Sequence, residues 1–481
     1  MSAVQYDTAS MQALLARQKA AQLRDGAPSA ETRIERLDRC IGLLVDNRKA
    51  IEEALNADFG ARSPEATAFT DVASSIGPLQ HAKASLRRWM KPEKRKLSPA
   101  LLALFGAKAE VRFQPKGVVG VISPWNFPVN LTFTPLAGIL AAGNRAMIKP
   151  SEYTPATSEL MATMFAGAFS DEEVAVVTGG PELGQAFAGL AFDHLIFTGG
   201  TGIAKQVMKA AAENLVPLTL ELGGKSPVVL GRSADMATAA ARIMNGKTLN
   251  AGQICLAPDY VLAPKEQLDA FVSAAEGAVK KMFPTLKDNP DYTAIIAQRH
   301  YDRIMGYIDD ARAKGARIVE LKPDGEDLTQ QEHRKIAPTL IIEPTDDMKV
   351  MQEEIFGPVL PVKTYAGGVG EAIAYVNAHD RPLGLYYFGD DAAEREKVLA
   401  ETTSGGATVN DVIFHVAQEE LPFGGVGPSG MGSYHGHDGF KEFSHKKSIY
   451  TQLKNDIGPL AALRPPYGPG IRKFLDGAIK R

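Results

Sequence analysis

Cys255 lies in the stretch NAGQICLAPD, Asn250 to Asp259, and as a thiolate it has a chemistry that a packing residue lacks, attack on a carbonyl carbon. A thiol with an ordinary pKa of about 8.5 is mostly protonated near neutrality. It needs nearby positive potential, backbone N–H groups or a base. Ala251 and Gly252 let backbone approach closely, and Pro258 ends whatever helix carries the thiol. The competing reading is a small core hydrophobe, the usual place of a free cysteine. Cys40, the only other cysteine, takes that second reading. It sits beside an apolar stripe, Ile34, Leu37, Ile41, Leu44, Ile51 and Leu55, whose spacing predicts one amphipathic helix.

Three further segments hold the polar groups that thiol attack on a carbonyl requires. In SPWNFPVN, Ser123 to Asn130, two prolines fix the backbone around Asn126. A pinned side-chain amide suits the oxyanion of a tetrahedral adduct; the alternative is a turn asparagine that serves its own backbone. In TLELGGKSP, Glu221 interrupts an apolar strand before two glycines. Burial there raises a carboxyl pKa toward that of a general base, whereas a solvated strand end does nothing of the kind. In QEEIFGPVLPV, Glu353 and Glu354 precede an apolar run. Either carboxylate can accept the two hydroxyls of a ribose, or cap an element as a solvated acid. Lys149 and Glu152 in IKPSE follow a strand and are likewise suited to a ribose.

The elements that position these groups read as repeated βα units. GVVGVISP, MIKPSEYTP, VAVVTGG and FDHLIFTGG alternate with Ala-rich helical stretches, the pattern of a parallel sheet. In such a sheet ligands sit beyond the carboxyl ends of the strands, where each of these runs carries its glycines and polar residues. FTGGTGIAK, Phe197 to Lys205, is strand, glycine turn and helix start, whose free N–H groups can hold a pyrophosphate. A GxGxxG pattern occurs once, at Gly425 to Gly430, without a strand and helix around it and with Pro428 inside, and is read as a turn-rich loop. A second α/β portion begins near Gly224, with strands in DYVLAP and APTLIIEP and a helix over Glu266 to Phe283.

Composition fits this picture. The 481 residues allow roughly two to four domains, and 45 glycines with 30 prolines suit many strand-to-helix turns. A net charge of −3 gives no footprint for nucleic acid. Two distant cysteines exclude a disulfide framework and a CxxC metal site, so no metal is expected and a reducing, cytoplasmic location is. No apolar run reaches the span of a bilayer, and Asp7 and Asp25 speak against a transit peptide. RRWMKPEKRK, Arg87 to Lys96, reads as a solvated face and linker. The basic tail RPPYGPGIRKFLDGAIKR reads as a cover over a subunit seam, with a membrane-surface contact as the alternative.

PWNFP, IKPSE, FTGGTG, LELGGKSP, NAGQIC, EEIFGP and PFGGVGPSG, in this order, resemble the NAD(P)-dependent aldehyde dehydrogenase superfamily from about Ala30 to about Tyr450. GQICLAPDY, NDVIFHVAQ and SGMGSYHG are similar to its class three branch. RWMKPE, NPDYT, LYYFG and HVAQEELPFGG are most similar to bacterial coniferyl aldehyde dehydrogenases. The resemblance implies an α/β aldehyde dehydrogenase fold: a cofactor-binding domain with an open parallel, Rossmann-like sheet over 1–98 and 117–223, and a catalytic α/β domain over 224–424. It further implies a small β oligomerisation arm from 99–116 and 440–453, a C-terminal tail over 454–481, and a homodimer. It implies Cys255 as nucleophile, Asn126 with the Cys255 N–H as oxyanion donors, and Glu221 as the base for deacylation. For NAD, with NADP also possible, it implies Ser123, Pro124, Trp125, Lys149, Glu152, Gly180, Gly199, Gly200, Ile203, Leu222, Gly223, Glu354 and Phe356. Gly200 departs from the serine or asparagine of many relatives, which removes a side-chain contact to phosphate. The expected substrate is an aromatic or hydrophobic aldehyde such as coniferyl aldehyde; a broad aliphatic enzyme and a catalytically idle binding protein are the alternatives.

Overall fold

Short β-branched runs bounded by glycine form the strands, and their register sets where the polar residues gather. The computed structural model describes residues 6–98, 100–329, 331–455, 458–461 and 463–480. Pro99, where the expected arm begins, and residues 456, 457, 462 and 481 of the expected tail lie outside the described residues.

Two strands, β1 (Glu93–Lys94) and β2 (Lys108–Pro115), join β16 (Ser444–Thr451) in a three-stranded sheet of order β1-β2-β16. A six-stranded sheet contains β3 (Val118–Ile122), β4 (Arg145–Lys149), β5 (Val174–Val176), β6 (His194–Thr198), β7 (Leu218–Glu221) and the short β15 (Gly430–Met431). Its order is β15-β7-β6-β3-β4-β5. From β7 to β5 every pairing is parallel, and β15 runs antiparallel to β7. The chain departs from the adjacent strands β3 and β6 in opposite directions, so a topological switch point lies between their carboxyl ends, where α/β folds hold ligands. Register sharpens this: Ile122 pairs with Lys149 on one side and Phe197 on the other, and Thr198 pairs with Glu221. Ser123, Lys149, Gly199 and Glu221 therefore share one edge of the sheet.

The third sheet has seven strands: β8 (Pro227–Leu230), β9 (Tyr260–Pro264), β10 (Arg317–Glu320), β11 (Thr339–Ile342), β12 (Val359–Tyr365), β13 (Gly384–Phe388) and β14 (Gly406–Val409). Its order is β10-β11-β12-β9-β8-β13-β14, parallel except for β10 against β11. Both faces are covered, which is why these strands read as continuous apolar runs. Val229, Leu262, Ile341, Leu385 and Tyr387 pack on one face, and Val228, Leu230, Val261, Leu340, Tyr386 and Phe388 on the other. This is the two-residue period of a strand.

The single helix expected over Ile34 to Leu55 is two, Ala30–Asp46 and Arg48–Phe59. The seven-residue step from Leu44 to Ile51 straddles the break, where Asn47 (φ −104°, ψ 12°) caps the first helix. Both residues stay buried, so the periodicity reported burial correctly and continuity wrongly. GVGPSG is a loop, with Gly427 and Gly430 at positive φ, but it ends in β15, a strand that its glycines concealed. Within the basic stretch, Arg87 pairs with Glu31 and Arg88 with Glu420.

Residues up to Trp89 and Pro115–Ser444 form one compact unit that contains both larger sheets. Residues 90–114 and 445–481 form the other. There a small apolar cluster of Leu102, Ala107 and Leu453 lies under Leu97 and Leu460. In the tail, the helix Pro469–Ala478 buries Ile471 and exposes Phe474 and Leu475. Among the described residues no helix is long and apolar enough to cross a membrane.

Candidate active site

Cys255 follows a backbone turn of unusual shape. Asn250, Ala251 and Gly252 all have positive φ (49°, 51° and 72°), a left-handed run that disfavours ordinary residues by about 1 to 2 kcal/mol each. The strain is held from several directions. A Cβ on Gly252 would lie 2.3 Å from the carbonyl oxygen of Gly357, so only glycine lets the thiol loop pass the loop of Glu354. Gln253, fully buried, donates to the carbonyls of Asn250 (3.0 Å) and Ala294 (3.1 Å) and accepts from the Ile296 N–H (3.0 Å).

Asn126 is buried, and its Nδ2 donates to the carbonyl of Gln253 at 3.1 Å. The amide from the strand-end loop after β3 is thereby tied to a residue two before the thiol. Neighbouring Ser123 bonds through its hydroxyl to Thr132 (2.7 Å), and its N–H donates to the Lys149 carbonyl (3.1 Å). Trp125 meets Phe356 edge-on at 5.4 Å, and Pro124 precedes it in the same turn.

Glu221 ends β7 and is buried, with no partner for either carboxyl oxygen. Burial, reinforced by Glu442, raises its pKa well above the ordinary carboxylate value. The expectation that the surroundings favour the thiolate is reversed. Burial and then the Glu354 and Glu221 carboxylates push the Cys255 thiol up to about 12, against smaller opposing contributions from the N–H groups of Cys255 and Leu256. The resting thiol is protonated, and activation requires a base. Burial, against a smaller opposing pull from Arg39, pushes Cys40 up to about 12, as its packing role requires.

The two glutamates of QEEIF separate cleanly. Glu353 accepts from Tyr307 at 2.7 Å. Glu354 turns toward Gly223, whose missing Cβ would collide with its carboxylate, and its Oε1 is buried without a protein partner. Burial, with Asp259 adding, raises Glu354 to about 7. Phe356 has φ 48°.

The remaining sequence-derived positions lie at or just after the carboxyl ends of strands in the six-stranded sheet. Lys149 pairs with Glu152 at 2.8 Å. Gly180 precedes the helix Pro181–Ala188, where a Cβ on Gly184 would lie 3.8 Å from Lys149 Cε. The Gly199 N–H donates to the Glu221 carbonyl (3.0 Å), which joins the two glycine turns. Gly200 precedes the helix Thr201–Ala212, and a Cβ there would meet nothing within 4 Å, as at Gly202. Ile203 is exposed on its first turn, and Leu222 is buried, its N–H bonded to Ser429 O.

A roomy glycine turn at a helix start and a Lys-Glu pair at the carboxyl ends of the strands, with an orphaned buried carboxylate oxygen over Gly223 and the Phe356 ring against Trp125, fit a dinucleotide. Among the described residues no group of acidic, histidine or cysteine side chains has the placement to hold a metal.

Several residues of the site escaped the sequence. Asp259 is buried, accepts from Ile355 N–H (3.1 Å) and pairs with Lys225, and so links the thiol loop to the Glu354 loop. It lies at the end of NAGQICLAPD, and its charge in an apolar run was the available signal. Lys247 is fully buried with no partner for Nζ, and burial lowers it to about 8. Tyr434 is buried within electrostatic reach of Glu221 and Cys255. It packs edge-on against Phe423 (5.8 Å) and His435 (4.7 Å). It lies in SGMGSYHG, where nothing marked its proximity to the thiol.

A model of the aldehyde dehydrogenase family matches residues 2–449. The chain is 73% identical to a probable coniferyl aldehyde dehydrogenase of Caulobacter vibrioides, over 98% of this chain and 97% of that one. It is 55% identical to a coniferyl aldehyde dehydrogenase of a Pseudomonas species, over 96% and 94%. Among solved structures, the substrate-bound state of Staphylococcus aureus AldH superposes with a TM-score of 0.90 at 35% identity, covering 98% of this chain and 99% of that one.

Proposed function

The chain belongs to the aldehyde dehydrogenase family, and on that premise we propose that it oxidises coniferyl aldehyde to the carboxylic acid, with NAD as the preferred oxidant and NADP accepted. One observation carries the chemistry. A buried carboxylate with neither oxygen partnered, Glu221, stands within electrostatic reach of a half-buried thiol whose loop is bonded to a pinned amide.

The ionised Glu221 carboxylate is the base that a thiol of raised pKa requires. The Cys255 Sγ forms a bond to the aldehyde carbon, and the oxygen gathers the negative charge. Asn126 and the Cys255 N–H stabilise that oxyanion; one Asn126 N–H is committed to Gln253, and the other is assigned to the oxyanion. When bound, the dinucleotide supplies the acceptor for the hydride that leaves the same carbon. A thioester on Cys255 remains. Glu221, having released the thiol proton to solvent, takes a proton from water, the hydroxide adds to the thioester, the carbon–sulfur bond breaks, and the departing thiolate regains a proton from Glu221 as the acid leaves.

Glu354 and Phe356 hold the nicotinamide side of the cofactor, Lys149 and Glu152 the adenosine ribose, and Gly199 and Gly200 the pyrophosphate at the helix start. Ser123, Pro124, Trp125, Gly180, Ile203, Leu222 and Gly223 complete the walls. Residues 1–98 and 117–223 serve as the cofactor domain and 224–424 as the catalytic domain. Segments 99–116 and 440–453 serve as the arm of a cytoplasmic homodimer, and 454–481 as its tail. Support for the dimer comes from β16, an edge strand that offers its backbone to a second copy. Support for an aromatic substrate comes from Tyr434, within electrostatic reach of the thiol and packed in a ring cluster with Phe423 and His435, and from the named substrates of the relatives.

NADH formation on a panel of aromatic and aliphatic aldehydes tests the reading. Coniferyl aldehyde is expected to exceed straight-chain aldehydes in kcat/KM by about 10-fold or more, the value of one or two well-placed apolar groups. An aliphatic preference overturns the substrate, and turnover by Cys255→Ala at the wild-type rate overturns the mechanism.

A further inference from the structure

Behind Asn126 lies an ion pair that the mechanism above does not use. Arg62 and Asp71 meet at 2.5 Å with side chains 1% and 0% exposed. Such burial is a weak source of stability, since desolvating two charges offsets their attraction. Here Arg62 Nε has no partner at all. The pair is organised around the asparagine loop instead. Arg62 Nη1 donates to the backbone carbonyl of Asn126 at 2.9 Å, while Nη2 reaches Asp71 and Thr70. Asp71 Oδ1 accepts from the N–H groups of Val129 (3.2 Å) and Asn130 (3.3 Å), just past the asparagine. The guanidinium lies over the rings of Phe59 (4.8 Å) and Phe127 (5.2 Å). Asp71 comes from a π-helical turn, Ala68–Ala73, a geometry that recurs at functional sites.

From these contacts we infer that Arg62 and Asp71 are positioning residues for the oxyanion donor, clamping the backbone at the Asn126 carbonyl and just past it so that its amide faces the carbonyl attacked by Cys255. The inference rests on the reading of Asn126 given above. The Asn126 carbonyl receives a second N–H, from Asn250 at 3.2 Å in the thiol loop. The clamp thus fixes the amide relative to the nucleophile. A merely structural salt bridge has no reason to hold these two loops in common.

A double-mutant cycle tests this, with NADH formation in the first turnover as the readout and the full-length enzyme as the sample. Asp71→Asn keeps the side-chain shape and one acceptor, and Arg62→Lys keeps the charge; the two variants guard against loss of the fold in either, which thermal unfolding monitors. Each is expected to slow first-turnover hydride transfer by about 10- to 100-fold, the usual effect of a misplacement near 1 Å, with KM for aldehyde and NAD little changed. In an Asn126→Ala background the same substitutions are expected to slow it by less than about threefold, since residues acting as a unit are non-additive. An unchanged first-turnover rate in both variants, or an equal loss in the Asn126→Ala background, overturns the inference. Asn126→Ala at wild-type rate overturns instead the reading of Asn126 as oxyanion donor.

Discussion

A Cβ placed on Gly223 would lie 2.0 Å from Glu354 Oε1, so the carboxylate occupies space that only glycine leaves free. The obstacle is the tip of a flexible side chain, not backbone. Gly223→Ala is therefore expected to fold and to displace Glu354. If Glu354 holds the nicotinamide side of the cofactor, KM for NAD rises about 10-fold, the value of a charge-assisted hydrogen bond, while thermal unfolding shifts little. Steady-state kinetics with NAD varied checks this. An unchanged KM separates Glu354 from cofactor binding.

That relationship also shows what was legible in the residues. Glu354 and Gly223 each lie in a motif readable on its own, and the alternation of β runs with Ala-rich stretches announced the first parallel sheet, with the second portion legible only as α/β. The contact between motifs was not legible, because it depends on register: Ile122 against Lys149 and Thr198 against Glu221. The Asn47 break hid behind an unbroken apolar period. Tyr434 was invisible for another reason, since a buried tyrosine has the same neighbours in sequence whether or not a thiol lies next to it. The direction of the Cys255 shift was missed because it reflects burial and two carboxylates more than 30 residues away on either side.

Gly200 supplies a second prediction. It has φ −78° and ψ 144° at the residue before the helix Thr201–Ala212, with open space where a side chain would stand. Serine is at home in that conformation, and a cap there is worth a few tenths of a kcal/mol over glycine. Gly200→Ser is expected to leave the melting temperature unchanged or slightly raised. It is also expected to lower KM for NAD about two- to fivefold through one added hydroxyl contact to phosphate. A higher KM would mean that the glycine is needed for close approach of the cofactor, and NAD titration of the two enzymes distinguishes the cases.

Glu221 connects catalysis to stability through one proton. Its folded pKa is raised, chiefly by burial, so the native state holds the proton more tightly than the unfolded chain. The stability this contributes is complete below the unfolded value of about 4.3 and is lost as pH rises through the folded value. Glu221→Gln never ionises. Its stability is expected to match wild type near about pH 4 and to exceed it by about 1 to 3 kcal/mol under alkaline conditions, where wild type must bury an unpaired charge. Activity runs the other way, because the ionised carboxylate is the base. Wild-type kcat/KM is expected to rise with pH above the ordinary carboxylate range, whereas Glu221→Gln is expected to form its first NADH slowly and then to stall with the thioester intact. Thermal unfolding across pH, beside first-turnover and steady-state NADH formation, reads both consequences. Parallel stability curves for the two enzymes would mean that Glu221 finds a partner in solution, and a full steady-state rate in the glutamine variant would remove it from deacylation.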